Sequence, residues 1–298
     1  MQISTQQVLF LVGATATGKT MTSVNLAKKF PIEIINADSL QVFRHLDFGT
    51  AKPSKEIQNQ VPHHLIDILD PDESFTSKEF KVLADERIRD IQSRNKIPLF
   101  VGGAGFYLKA IANPISDLPA GTRAFDDAKK AYEELSTKDS KAAKKIHPND
   151  HYRISRALFL LDQDILPSRA FELAASDGLP YEITWLGISC DRKTLHQRIE
   201  SRVERMFDEG IVTETEAVVR NYPDAHGRLE KTIGYGECLQ LLDGKINKAQ
   251  AIELTKAHTR QYAKRQDTWF RKNPSIIWSQ LDQAADNFSF SIEELTRV

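Results

Sequence analysis

The octapeptide Gly13-Ala14-Thr15-Ala16-Thr17-Gly18-Lys19-Thr20 constrains this 298-residue chain more than any other stretch. It satisfies G-x-x-x-x-G-K-[ST] and follows an apolar run, Val8-Leu9-Phe10-Leu11-Val12, that reads as a buried strand. After it, residues 21–30 carry Val24, Leu26, Ala27 and Phe30 at helical spacing. Strand, glycine-bounded loop and helix are the context in which backbone N–H groups and a helix N-terminus converge on an anion. Lys19 adds a point charge, and Thr20 offers a hydroxyl to Mg²⁺. The chain therefore handles a phosphorylated ligand, although the loop alone names neither the ligand nor the reaction.

The remaining pattern extends this opening. Residues 32–36 read as a second buried strand ending at Ala37-Asp38-Ser39, and 64–69 as a third. Thr76 and Glu79 form a capping box that opens a helix to about residue 94. A fourth strand, 97–101, is turned by Gly102-Gly103-Ala104-Gly105 into a helix through about residue 112. Strands alternating with helices predict a parallel, doubly wound sheet. From Leu118 to about Pro180 only helical periodicity remains, broken at Pro119-Ala120-Gly121, His147-Pro148-Asn149-Asp150 and Asp177-Gly178. A strand resumes at 182–188, helices follow at about 192–209, 212–221, 235–243 and 248–271, and 275–278 is a short last strand. Beyond Asp282 the pattern is weakly informative. The fold class is thus α/β: a P-loop parallel-sheet core in two parts, 1–117 and 182–298, interrupted by a mostly helical insertion domain, 118–181.

Composition narrows the setting. Hydrophobic content of 41% and charged content of 27% are ordinary for a soluble globular protein. No apolar run reaches the roughly 18 residues that span a bilayer, and the polar start from Met1 to Gln7 gives no reason to expect a leader. Cys190 and Cys238 lack C-x-x-C spacing, so neither a disulfide framework nor a metal site is expected, and a reducing cytoplasm is the natural home. A net charge of −1 makes no global case for nucleic acid. The local distribution differs: Lys256, Arg260, Lys264, Arg265, Arg271 and Lys272 oppose Asp267 alone between residues 256 and 272.

In a parallel sheet, ligands gather at the carboxyl edge of the strands. The phosphate loop, Asp38 and Gly102 to Gly105 face one another there. Asp38 reaches either a metal on Thr20 or the reacting group of a second substrate; its plainer role is a turn cap with Ser39. Many nucleotide hydrolases place an acid where Gly102 and Gly103 stand, and its absence favours group transfer to a bound acceptor. Arg198, Arg202 and Arg205 lie at i, i+4 and i+7 on one helical face. They form either a lid over a phosphate chain or a solvated face interleaved with Glu200 and Glu204. Arg153 and Arg156 allow the same two readings. Residues 259–271 mix basic and aromatic side chains, suited equally to unpaired RNA and to a core helix with solvated cations. His63 and His64, with no ligand partners at metal spacing, are assigned ordinary polar roles.

Longer blocks are more specific. Asp38-Ser39-Leu40-Gln41-Val42-Phe43, Gly49-Thr50-Ala51-Lys52-Pro53, Pro62-His63-His64-Leu65-Ile66-Asp67, Val101-Gly102-Gly103, His147-Pro148-Asn149-Asp150 and Ile233-Gly234-Tyr235 resemble the tRNA dimethylallyltransferase family. So does Tyr262-Ala263-Lys264-Arg265-Gln266-Asp267-Thr268-Trp269-Phe270-Arg271, and the resemblance runs in order from Leu9 to about Arg271. It implies transfer of the dimethylallyl group of dimethylallyl diphosphate to the N6 amine of the adenosine 3′ of the anticodon. Gly13 to Thr20 would then hold the diphosphate, with Mg²⁺ near Thr20, and Asp38 would take the amine proton. Implied contacts to the tRNA anticodon stem-loop fall on Asp38, Ser39, Leu40, Gln41, Tyr152, Arg153, Arg156, Lys231, Gly234, Tyr235, Lys264, Arg265, Gln266, Trp269 and Arg271. Three positions depart from the family pattern. Ala104 replaces a threonine, Gly236 replaces a basic residue, and a shortened stretch after Pro119 leaves Arg123 as the match to a substrate-contacting arginine. The enzyme is expected to be a cytoplasmic monomer. Two alternatives stay open: a small-molecule kinase using loop and arginine lid, and a tRNA-binding protein that has lost catalysis.

Overall fold

The computed structural model describes residues 6–112, 118–119, 121–169 and 181–295. One compact unit comprises residues 1–111 and 181–298, and a second comprises 112–180. Six strands build the first: β1 (Gln7–Val12), β2 (Ile32–Asn36), β3 (His63–His64), β4 (Ile97–Val101), β5 (Glu182–Ser189) and β6 (Ile276–Gln280). They form one all-parallel sheet in the order β3-β2-β4-β1-β5-β6. Every residue of β1 and β2 is buried, as expected of central parallel strands covered on both faces. β1 pairs Leu9 with Leu99 on one side and Leu11 with Leu186 on the other, so the phosphate loop leaves the middle of the sheet.

In chain order the helices are α1 (Lys19–Lys29), α2 (Lys55–Gln58), α3 (Ser77–Ser93), α4 (Gly105–Ile111), α5 (Ala128–Lys138), α6 (Ser140–Ala143), α7 (His151–Asp162), α8 (Arg192–Glu209), α9 (Ile211–Asn221), α10 (His226–Glu230), α11 (Tyr235–Leu242), α12 (Lys248–Phe270) and α13 (Ala284–Leu295). Leu26 of α1 and Ala284, Phe288 and Ile292 of α13 close on Leu9, Leu11, Leu99 and Leu186. A second cluster joins Val42, Phe43 and Leu46 to Ile199, Val203 and Phe207 of α8, Ile211 of α9, Tyr235 and Cys238 of α11, and Ala263 of α12. This cluster brings α8 and α12 against the loops at the carboxyl edge. The capping box that opens α3 is present, with Glu79 N donating to Thr76 Oγ1 at 3.2 Å and Thr76 N to Glu79 at 2.7 Å.

The second unit holds α5, α6 and α7 around Ala131, Leu135, Ala142, Ile146, Ile154 and Leu158. Asp127, Asp139 and Asp150 cap the three helices in order. The expected break at Asp177-Gly178 and the expected boundary at 117 lie outside the described residues. Among the described residues no helix is long and apolar enough to cross a membrane.

Two expectations are corrected. The third strand is only two residues long, because Leu65 (φ 60°) and Asp67 (φ 55°) are left-handed and end the extended run. The tail is not patternless: Ala284, Phe288 and Ile292 recur every fourth residue and are fully buried.

Candidate active site

Gly13 adopts φ 146°, and a Cβ there would stand 2.7 Å from the Ile188 carbonyl oxygen, so only glycine lets β1 turn beside β5. The loop then enters α1 at Gly18, and Lys19 folds back to donate to the carbonyls of Gly13 (3.0 Å) and Ala14 (2.8 Å). Burial, with Arg202 nearby, lowers the Lys19 pKa from 10.5 to about 8, against an opposing pull from Asp38. Across the same edge, a Cβ on Gly102 would collide with the Ala37 carbonyl, so the glycine lets the β4 turn lie against the end of β2.

Gln266 of α12 braces the loop. Its Oε1 accepts from Thr15 N at 2.8 Å and its Nε2 donates to Gly103 O at 3.1 Å. The α8 arginines approach from the other side. Arg198 Nε donates to Ala16 O at 2.7 Å, while Arg202 donates to Thr15 Oγ1 at 3.0 Å and to Thr50 O at 3.3 Å. Burial lowers the Arg202 pKa, opposed by Asp38, and Arg205 adds to the lowering.

Asp38 is fixed by its own strand end. Asn36 accepts from Asp38 N (3.0 Å) and donates to Asp38 O (3.1 Å), and Asp38 Oδ1 accepts from Leu40 N (2.9 Å). The cap role and a place in the cavity therefore coexist. A cavity of about 570 Å³ brings together Thr15, Ala16, Gly18, Lys19, Thr20, Asp38, Gln41, Thr50, Gly102, Arg198, Arg202, Arg205, Tyr262 and Gln266. Burial and the Asp38 charge push both Tyr107 and Tyr262 up to about 12, so both phenols stay protonated at neutral pH. His63 also lines the cavity, with Nδ1 2.7 Å from Val61 O, and burial lowers its pKa. His64 pairs instead with buried Glu33 at 2.7 Å.

The remaining predicted contacts divide. Ser39 is exposed, Gln41 donates to Thr50 O at 3.1 Å, and Ala104, the residue before α4, donates its N–H to Ala37 O at 3.2 Å. Lys264, Arg265 and Arg271 are exposed on or just beyond α12, and Trp269 packs edge-on against Phe270. Lys231 is exposed. Gly234 and Tyr235 are buried, which corrects their assignment to an RNA-facing surface: the Tyr235 hydroxyl donates to Glu214 at 2.6 Å. Gly236 is buried too, and a Cβ there would press on the Glu230 carbonyl oxygen at 2.5 Å, so a basic side chain there would not simply add an RNA contact. Gln266 faces the phosphate loop and is nearly inaccessible. Within the second unit, Arg123 pairs with Glu134 and, at 3.0 Å, with Asp162, so its cation is engaged inside that unit. There too, Tyr152 is exposed, Arg153 lies 3.3 Å from Asp150, and Arg156 donates to Gly121 O at 2.9 Å. The Thr50 carbonyl is a site element that residue types do not reveal, because a backbone acceptor carries no side-chain signature.

Fold and site together define a P-loop group-transfer protein whose phosphate loop shares one cavity with a carboxylate. The IPP transferase family model matches residues 41–273, and the isopentenyl transferase model matches 6–68. The chain belongs to the tRNA dimethylallyltransferase family. Similar proteins include tRNA dimethylallyltransferase 1 of Syntrophotalea carbinolica, 39% identical over 91% of this chain and 90% of the relative. Another is tRNA dimethylallyltransferase 1 of Citrifermentans bemidjiense, 41% identical over 91% of each. Among solved structures, the tRNA isopentenylpyrophosphate transferase of Bacillus halodurans aligns with a TM-score of 0.74 and 34% identity, covering 97% of this chain and 96% of that one. A eukaryotic dimethylallyltransferase captured acting on tRNA aligns with a TM-score of 0.85 and 29% identity, over 97% of this chain and 79% of that one.

Proposed function

We propose that this chain transfers the dimethylallyl group of dimethylallyl diphosphate to the exocyclic N6 amine of the tRNA adenosine 3′-adjacent to the anticodon, releasing diphosphate. The observation that carries this reading is the shared cavity of Lys19, Asp38 and Arg202, with glycines where an ATP-hydrolysing loop protein would carry an acid. Gly13 to Thr20 grip the diphosphate, and Arg198, Arg202 and Arg205 cover it. The N6–carbon bond forms as the carbon–oxygen bond to diphosphate breaks, and the electron pair leaves on the diphosphate oxygen. Asp38 accepts the amine proton as the bond forms, a contribution of about 10²–10⁴ in rate for a positioned base. Lys19, the loop amides and the arginines stabilise the departing charge. The adenosine reaches the cavity only when unstacked from the anticodon loop.

Mg²⁺ suits the donor set. Among the described residues no three His, Cys, Asp or Glu side chains are arranged to hold a metal. Mg²⁺ needs no such cage, since it keeps waters and binds few protein oxygens alongside substrate phosphates. Thr20 would hold it, and when bound it would neutralise diphosphate charge.

Lys264, Arg265, Trp269 and Arg271 contact the RNA near the cavity, and Tyr152 with exposed Lys141 and Lys144 serve the insertion domain's share. The enzyme works in the cytoplasm as a monomer, a setting consistent with its two free cysteines. The test is incubation with undermodified tRNA and dimethylallyl diphosphate, without ATP, followed by mass analysis of released nucleosides. A dimethylallyl gain on adenosine that D38N slows by about 10²–10⁴ is expected. A product that requires ATP would indicate a kinase, and tRNA binding with no gain would indicate a protein without catalysis.

A further inference from the structure

Behind the cavity wall, Glu214 of α9 faces the loop that joins Leu46 to Lys52. Its carboxylate accepts three successive backbone N–H groups, from Asp47 (2.8 Å), Phe48 (3.1 Å) and Gly49 (3.4 Å), together with the Tyr235 hydroxyl (2.6 Å). The Tyr235 ring is fully buried and lies so close to Gly49 that a Cβ there would collide with it. Carboxylate and ring thus clamp this backbone from two directions. The next residue is the one that matters to the site. Thr50 is buried, and its carbonyl accepts from Gln41 Nε2 at 3.1 Å and Arg202 Nη2 at 3.3 Å. The other arm of Arg202 reaches Thr15 Oγ1 of the phosphate loop. Neither Glu214 nor Tyr235 lines the cavity, yet an unbroken series of contacts runs from them to the loop.

We propose that Glu214, oriented by Tyr235, is a positioning residue: it fixes the 47–50 backbone so that the Thr50 carbonyl aims Arg202 at the diphosphate and holds Gln41 at the cavity wall. The proposal rests on the reading that the phosphate loop grips a prenyl diphosphate. Arginine carries several rotatable bonds, and its value to an anion depends on a guanidinium already aimed. The Thr50 carbonyl is one of two anchors that aim it, and that carbonyl has a defined place only while its backbone is held. A carboxylate suits the task because hydrogen bonds to an ionised acceptor are about twice as strong as neutral ones.

The test is a double-mutant cycle between Glu214 and Arg202, read as the affinity of the full chain for inorganic diphosphate by calorimetry. Circular dichroism and thermal melts run alongside. E214A is expected to weaken diphosphate binding about tenfold when Arg202 is present, and less than about twofold in an R202A background. E214Q, which keeps one acceptor oxygen, falls between. Should E214A fail to fold, Y235F takes its place in the same cycle, since it removes one hydroxyl and leaves the packed ring. Equal weakening in both backgrounds, or unchanged affinity in a folded E214A or Y235F, overturns the proposal. Prenyl transfer by the wild type is measured in parallel. Diphosphate binding without transfer would sink the donor reading while leaving the positioning result standing.

Discussion

At the residue scale, Asp38 combines a rigid backbone with a position beside two cations. Asn36 holds its peptide from both sides, and its charge raises the pKa of Lys19 and of Arg202 against their burial. Asp38→Asn preserves the shape, so a fall of about 10²–10⁴ in turnover is expected with donor affinity unchanged or tighter, since one negative charge leaves an anion site. Pre-steady-state kinetics paired with donor titration checks both halves. Lys19 predicts a pH dependence of different sign. Its pKa of about 8 means the free enzyme carries this cation below that pH and loses it above, so diphosphate affinity falls as pH rises through about 8, well before an ordinary lysine would titrate. Stability moves the other way: between pH 8 and 10.5 the unfolded chain holds a proton that the folded chain has released, so the Lys19 contribution to stability grows as pH rises. Diphosphate titrations from pH 7 to 10, repeated on K19A, isolate the step; a wild-type profile flat through pH 9 would contradict it.

At the scale of elements, local chemistry was legible wherever side chains act on their own backbone. Thr76 and Glu79 announce the start of α3, and Thr76→Ala should cost about 0.5–2 kcal/mol in a urea melt with turnover unchanged, because the cap lies away from the cavity. The third strand stops at His64, although the segment His64-Leu65-Ile66-Asp67-Ile68-Leu69 that predicts a strand mimics a half-buried one. Long-range contacts override it: Asn36 draws in the Leu65 carbonyl at 3.0 Å, while Lys52 and Lys55 take the Asp67 carboxylate at 2.6 and 2.9 Å. None of those partners is visible from the local pattern. On α12 the basic and the packing residues separate onto different faces. Lys264 and Arg265 are exposed while Ala263, Gln266 and Phe270 are buried, a division that a list of basic and aromatic residues does not make. Gln266→Ala strands the Thr15 N–H and the Gly103 carbonyl, so a loss of about 1–3 kcal/mol is expected together with weaker diphosphate binding. A variant with native melting and native affinity would show that the brace is dispensable.

At the scale of the whole molecule, the chain carries a net charge of −1 and divides into two compact units, to which the proposed function gives different tasks. Among the described residues, all that line the cavity belong to the unit made of 1–111 and 181–298. The other unit closes its own core around Leu135, Ile154 and Leu158, and spends Arg123 on Glu134 and Asp162 inside itself. That interruption was readable because sheet-forming alternation stops and helical periodicity takes over. What the unit contributes, tRNA binding through Tyr152, Arg153 and Arg156, is implied only by the family resemblance, since exposed lysines on short capped helices look alike whether they meet water or RNA. Replacing residues 113–180 with a flexible Gly-Ser linker separates the two roles. The remaining unit keeps the sheet, the phosphate loop, Asp38 and the α8 arginines, so diphosphate affinity should stay within about twofold of the full chain. Affinity for tRNA should fall, and its salt dependence should flatten, because log affinity declines with log salt in proportion to the phosphates neutralised. Diphosphate calorimetry and tRNA filter binding from about 50 to 200 mM salt read the two outcomes separately. An unchanged salt slope would place the RNA contacts wholly on the sheet-bearing unit, leaving Lys264, Arg265 and Arg271 as the cations that carry them.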